Sequence, residues 1–137
     1  MIGILLVTHR RLGEALIDTA SFIIGDRPSA VEFVSIDLEQ DANEMRTKIE
    51  DGIKKVDNRH GVLILTDMFG GTPSNLSYSF LEEGRIEVVS GVNLPVLIKA
   101  VKAREDQDLA QLAQTLETFG RQSISLASGI LKGNKRN

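Results

Sequence analysis

Two kinds of apolar pattern alternate along the chain. Ile2–Thr8 (IGILLVT) and Gly61–Thr66 (GVLILT) are short, continuously apolar runs that end on a polar residue. Such runs predict strands buried on both faces, as in a parallel sheet covered by helices on each side. Val31–Ile36 (VEFVSI) alternates, is β-branched and reads as a strand, and Arg85–Val89 is read as a fourth. Between them the spacing turns helical. Leu12–Ile24 carries Leu12, Ala15, Leu16, Thr19, Ala20 and Ile23, with Gly25 placed to stop it. Asp41–Val56 carries Ala42, Met45, Ile49, Ile53 and Val56, with Asp41 or Asn43 as the cap. After the loop Asp67–Pro73 (DMFGGTP), Thr72 reads as an N-cap with Pro73 at the first helical position of a short helix to Leu81, closed by Gly84. Leu94–Ala103 and Asp106–Phe119 are predicted helices, the second ended by Gly120. Ser123–Ala127 alternates and is read as a last, short strand. Phe22, Phe33, Phe80 and Phe119 are assigned to the core.

Strands alternating with helices imply an α/β fold, an open parallel sheet with helices on both faces. Ligands of such sheets bind beyond the carboxyl ends of the strands, where strand order reverses. Three polar loops fall there: Thr8-His9-Arg10, Thr66-Asp67 through Ser74, and Ser90-Gly91-Val92-Asn93. A strand order 2-1-3-4 would set the first two side by side and bring His9 next to Asp67. A carboxylate that accepts a hydrogen bond from one ring nitrogen fixes the tautomer and leaves the other nitrogen nucleophilic. It also favours the cationic ring that develops on phosphorylation, the orienting logic of an Asp–His pair. Gly70 and Gly71 let backbone approach a ligand closely, and a helix start suits a phosphoryl group. Thr66, Thr72 and Ser74 are candidate phosphoryl-binding residues beside them. The phosphate loop G-x-x-x-x-G-K-[ST] is absent, which argues against nucleotide triphosphates.

Composition narrows the classes. The chain has 137 residues, enough for one domain, with 42% hydrophobic and 26% charged residues. A net charge of -3 argues against a nucleic-acid binder. The basic segment Lys132–Asn137 is expected to be a solvated end. With no cysteine and two histidines, no cofactor and no metal site is expected. Absence of cysteine fits the cytoplasm. The apolar start is too short to span a bilayer and lacks a preceding basic region, so no signal peptide is expected. His60 has no partner motif and is read as a surface residue.

The segments IGILLVTH, GVLILTDMFGGTPSN and SGVNLPVL, in this order and spacing, resemble the enzyme IIA component of the mannose family of the bacterial phosphoenolpyruvate-dependent sugar phosphotransferase system. The resemblance runs from Ile2 to about Ala127. It implies that His9 accepts a phosphoryl group from the histidine-containing phosphocarrier protein and gives it to a separate IIB protein for sugar uptake. It implies that Asp67 hydrogen-bonds that histidine and that Ser90 and Asn93 line the rim. It also implies a homodimer that exchanges a C-terminal antiparallel strand, for which Ser123–Ala127 is the counterpart, and contact with the membrane only through permease subunits. One departure is plain: the family commonly has glycine after the histidine, and here Arg10 and Arg11 follow. Two arginines there could help bind a phosphoryl group. Two other readings stay open: a module whose phosphorylation state regulates a partner, and a non-covalent binder of a small phosphorylated metabolite in the switch-point cleft.

Overall fold

The computed structural model describes residues 1–133. The last four residues of the basic segment lie outside that range. The elements are β1 (Gly3–His9), α1 (Leu12–Ile24), β2 (Val31–Ile36), α2 (Ala42–Val56), β3 (Val62–Thr66), α3 (Thr72–Tyr78), β4 (Ile86–Ser90), α4 (Leu94–Ala103), α5 (Leu109–Gln122) and α6 (Ala127–Leu131). The four strands form one parallel sheet in the order β2-β1-β3-β4. Register pairs Val7 with Thr66 and His9 with Ile36, so β1 outruns β3 at the carboxyl end.

Strand residues alternate between two cores, as a pleat requires. Ile4, Leu6, Leu63 and Leu65 pack with α1, α4 and α5. Leu5, Val7, Val62 and Ile64 pack with α2, joined by Leu76 of α3. All eight side chains are essentially buried. Each full burial of this kind contributes about 1.5–3 kcal/mol, which is why the central strands carry no polar residue before Thr8 and Thr66. Asp41 caps α2 by accepting from the Glu44 N–H at 2.9 Å, and the predicted stripe Met45, Ile49, Ile53 and Val56 is buried.

Four expectations need correction. Helix α1 buries Gly13, Ile17 and Ala20, while Leu12 and Ile23 face out and Phe22 is 87% exposed. The helix turns its small residues inward because Gly13 packs tightly: an added Cβ would lie 3.3 Å from Leu6 and from Phe33. Gly120 does not end α5, which starts one residue after its Asp108 capping box and runs to Gln122. It instead permits close packing on α4, since a Cβ there would sit 3.2 Å from Val96. Helix α3 has Gly71, not Thr72, as its N-cap and ends at Tyr78. Finally, Ser123–Ala127 forms no strand. Ser123 caps α5, residues 124–126 join no sheet, and Ala127 opens α6. This segment buries none of its apolar side chains within the chain, so the alternation finds no sheet edge to join here.

At the amino end of the sheet, Arg104 caps α4 and is 4% exposed. Its Nη1 donates to Ile2 O at 3.1 Å and Ala30 O at 3.4 Å, and its Nη2 to Ser29 O at 2.7 Å. Burial lowers its pKa from the usual arginine value, which Glu105 partly offsets. The guanidinium thereby ties α4 to the starts of β1 and β2.

Candidate functional site

The carboxyl end of the sheet brings His9 and Asp67 together. Strand β3 stops at Thr66, and the Asp67 side chain continues the bonding to β1: its Oδ2 accepts the His9 backbone N–H at 3.0 Å. The same Oδ2 lies 2.8 Å from His9 Nδ1. An ionised carboxylate only accepts, so Nδ1 carries the proton and Nε2 keeps its lone pair. The His9 side chain is 32% exposed and Asp67 10%, so the imidazole is held from behind and remains open to the rim. Asp67 Oδ1 is buried with no hydrogen-bond partner among the described residues. A carboxylate fixed to one ring nitrogen beside an accessible second nitrogen is an arrangement for nucleophilic catalysis by histidine.

The glycine loop closes against the ring. A Cβ on Gly71 would lie 3.0 Å from His9 Cε1 and 3.6 Å from Nε2, so only a glycine leaves the ring this close to backbone. Gly70 has φ +84°, the left-handed region where a side chain is strained. Ser74 is fully buried, and its hydroxyl donates to Gly71 O at 3.0 Å, bracing the loop from within. Thr72 is half-buried at the first turn of α3. Thr66 is fully buried and donates to Ser90 Oγ at 2.8 Å. Asn93 caps α4 through its Oδ1, 2.9 Å from Val96 N, and its Nδ2 donates to Ser123 Oγ at 3.0 Å. Thr66, Ser74, Ser90 and Asn93 therefore brace the strand ends and helix starts around the site, while His9, Gly70, Gly71 and Thr72 form the open part.

Arg10 sits at the rim in the left-handed region, φ +48°, with its backbone N–H donating to Ile36 O at 3.0 Å. For a residue with a side chain that conformation costs about 1–2 kcal/mol. The neighbouring Arg11 pairs with Glu14 at 3.3 Å.

Two contributors went unread in the sequence. Thr8 Oγ1 accepts the Gly13 N–H at 2.8 Å and so caps α1, whose own N-cap, Arg11, supplies no side-chain capping bond. The only hint was a threonine ending an apolar strand. Tyr78 shares a hydrogen bond with Ser90 at 3.0 Å, and its ring centroid lies 6.4 Å from that of Phe69 at the loop tip. No sequence pattern signals that link. Among the described residues no cluster of metal-ligating side chains occurs, and no helix is long and apolar enough to cross a membrane.

The family model described as the PTS system fructose IIA component matches residues 3–117. The chain belongs to the EIIA-man family. The fructose-specific EIIA component of Bacillus subtilis is 30% identical over 133 residues, 96% of this chain and 90% of that protein. The mannose-specific EIIAB component of Escherichia coli is 32% identical over 90% of this chain, which spans only 38% of that longer protein. The crystal structure of an EIIA component from Streptococcus agalactiae superposes with a TM-score of 0.82 at 26% identity, covering 93% of this chain and 98% of that one. An EIIA-man protein is a phosphoryl carrier of the sugar phosphotransferase system, and the chain is therefore a phosphotransferase component.

Proposed function

We propose that the phosphoryl group is carried on Nε2 of His9, with Asp67 holding the ring. The observation that carries this reading is the 2.8 Å contact from Asp67 Oδ2 to Nδ1, which leaves Nε2 as the free nucleophile at the rim. The lone pair of Nε2 attacks phosphorus, the donor's bond to phosphorus breaks, and the donor keeps that bond's electron pair. Asp67 stabilises the positive ring that results. Gly70, Gly71 and Thr72 bring backbone and one hydroxyl to the phosphoryl oxygens, and Arg10 adds a cation. Thr66, Ser74, Ser90 and Asn93 keep these groups in place.

The donor in this reading is the histidine-containing phosphocarrier protein and the acceptor a separate IIB protein, in the cytoplasm, for sugar uptake. The family supports this choice of partners. A homodimer is proposed as well. Ile124, Leu126 and Leu131 are 78%, 76% and 85% exposed, and β4 borders a groove of about 740 Å³ together with α5. Apolar surface of this kind suits a second copy. Molar mass in solution checks it: a monomer at micromolar concentration would reject the dimer.

The carrier reading is tested by incubating the chain with phosphoenolpyruvate, enzyme I and the phosphocarrier, and measuring intact mass. One phosphoryl group, acid-labile and lost in His9→Ala, is expected. Acid-stable label, or label retained by His9→Ala, would reject the assignment.

A further inference from the structure

We propose that Arg10 holds the phosphoryl group on His9 against water, so that this carrier retains its charge between donor and acceptor; the proposal rests on the carrier reading above. Arg10 is one of three described non-glycine residues with positive φ, the others being Ala30 and Arg59. Strain retained at the residue after a nucleophile points to a use for its side chain. That side chain is exposed and makes no hydrogen bond or ion pair among the described residues, whereas Arg11 is paired with Glu14. The fold therefore gains nothing from the Arg10 guanidinium. Its Cα is one peptide, about 3.8 Å, from that of His9, within easy reach of a group on Nε2.

The chemistry gives the direction of the effect. A phosphoryl group on imidazole is dianionic and presents three oxygens, which a guanidinium binds through paired N–H donors. In spontaneous loss, a water oxygen bonds to phosphorus and the P–N bond breaks. The bond's electron pair returns to Nε2, a water proton is released, and inorganic phosphate leaves. The transition state is loose and metaphosphate-like. Its transferring unit bears less negative charge than the bound dianion, because an electron pair has moved towards the ring. A cation on the oxygens thus stabilises the charged carrier more than the transition state for its loss.

The test charges the full chain chemically with phosphoramidate, removes the reagent and follows loss of the phosphoryl mass at pH 8. Arg10→Gln keeps a side chain on the left-handed backbone without its charge, and Arg10→Gly relieves the strain. Both should shorten the phosphohistidine lifetime about 3- to 10-fold. Arg10→Lys should retain part of it, and Arg11→Gln should leave it unchanged. Arg10→Gly should melt no lower than the parent, which separates faster loss from unfolding. Equal lifetimes for Arg10→Gln and the parent would overturn the proposal and leave His9 as carrier. An equal shortening by Arg11→Gln would overturn it in favour of undirected positive charge. A parent chain that takes no label on His9 would overturn both readings.

Discussion

Two polar centres stand at opposite ends of the same sheet, and they are built in opposite ways. At the amino end, Arg104 is buried and gives its terminal nitrogens to three backbone carbonyls. At the carboxyl end, Asp67 turns one oxygen to both the ring and the backbone of His9 and leaves the far side of the ring open. Each centre keeps one buried atom without a partner among the described residues, Arg104 Nε and Asp67 Oδ1. Access distinguishes them. Arg104 has no route to a reactant and serves to join segments, whereas His9 meets the rim. A buried polar group bonded on all useful sides belongs to folding; one held on one side and open on the other is prepared for chemistry.

The sharpest break of this comparison is His9→Ala. Phosphoryl uptake should vanish in the intact-mass assay, while unfolding free energy changes by no more than about 1–2 kcal/mol, since one half-exposed hydrogen bond is lost. A large loss of stability would mean that His9 is a structural residue like Arg104. Arg104→Met should do the reverse. It keeps the volume but withdraws the donors from Ile2, Ser29 and Ala30, and should lower the unfolding free energy by about 3 kcal/mol in urea titration. The folded fraction should still take up one phosphoryl group at the parent rate.

Asp67→Asn sharpens the contrast within the site. The amide fills the same space but no longer offers an anion to the positive ring. Transfer from the phosphocarrier should fall about 100-fold, measured by rapid-quench labelling, with a stability change under about 1 kcal/mol. A rate equal to the parent's would show that position alone, without charge, is what Asp67 supplies.

How far these two centres could be read from the sequence differs for a physical reason. The rim was legible. Continuous apolar runs at Ile2–Thr8 and Gly61–Thr66 identify strands covered on both faces, and the polar residues that end them mark the loops of the site. The strand order 2-1-3-4, under which His9 stands beside Asp67, is the order observed. The amino-end centre was not legible, because an arginine just past a helix end reads as solvated and its partners are main-chain carbonyls, which carry no sequence signal. The inward face of α1 was partly hidden for a related reason: Gly13 packs by being small and carries no apolar signal, so the pattern caught Ala20 but set it on a stripe with Leu12 and Ile23, which face out. The alternation of Ser123–Ala127 misled, because its apolar side chains stay exposed and no strand among the described residues lies beside it to make a sheet.

The smallest and most specific change is Gly71→Ala. Gly71 has φ -90° and ψ 169°, which any residue adopts, so the backbone itself tolerates the substitution. The atoms nearest the new methyl would be His9 Cε1 at 3.0 Å and Met68 Cγ at 3.3 Å. One of them must give by a few tenths of an ångström. Met68 is half exposed and can move aside, but the ring is anchored by its 2.8 Å bond to Asp67. Relief therefore comes from tilting the imidazole on that bond, which shifts Nε2 away from the loop that would receive the phosphoryl oxygens. Stability should change by less than about 1 kcal/mol, and transfer should slow about 3- to 10-fold. A rate unchanged within twofold would mean that the loop's closeness to His9 is packing alone, and that the open side of the ring extends further round than Gly71.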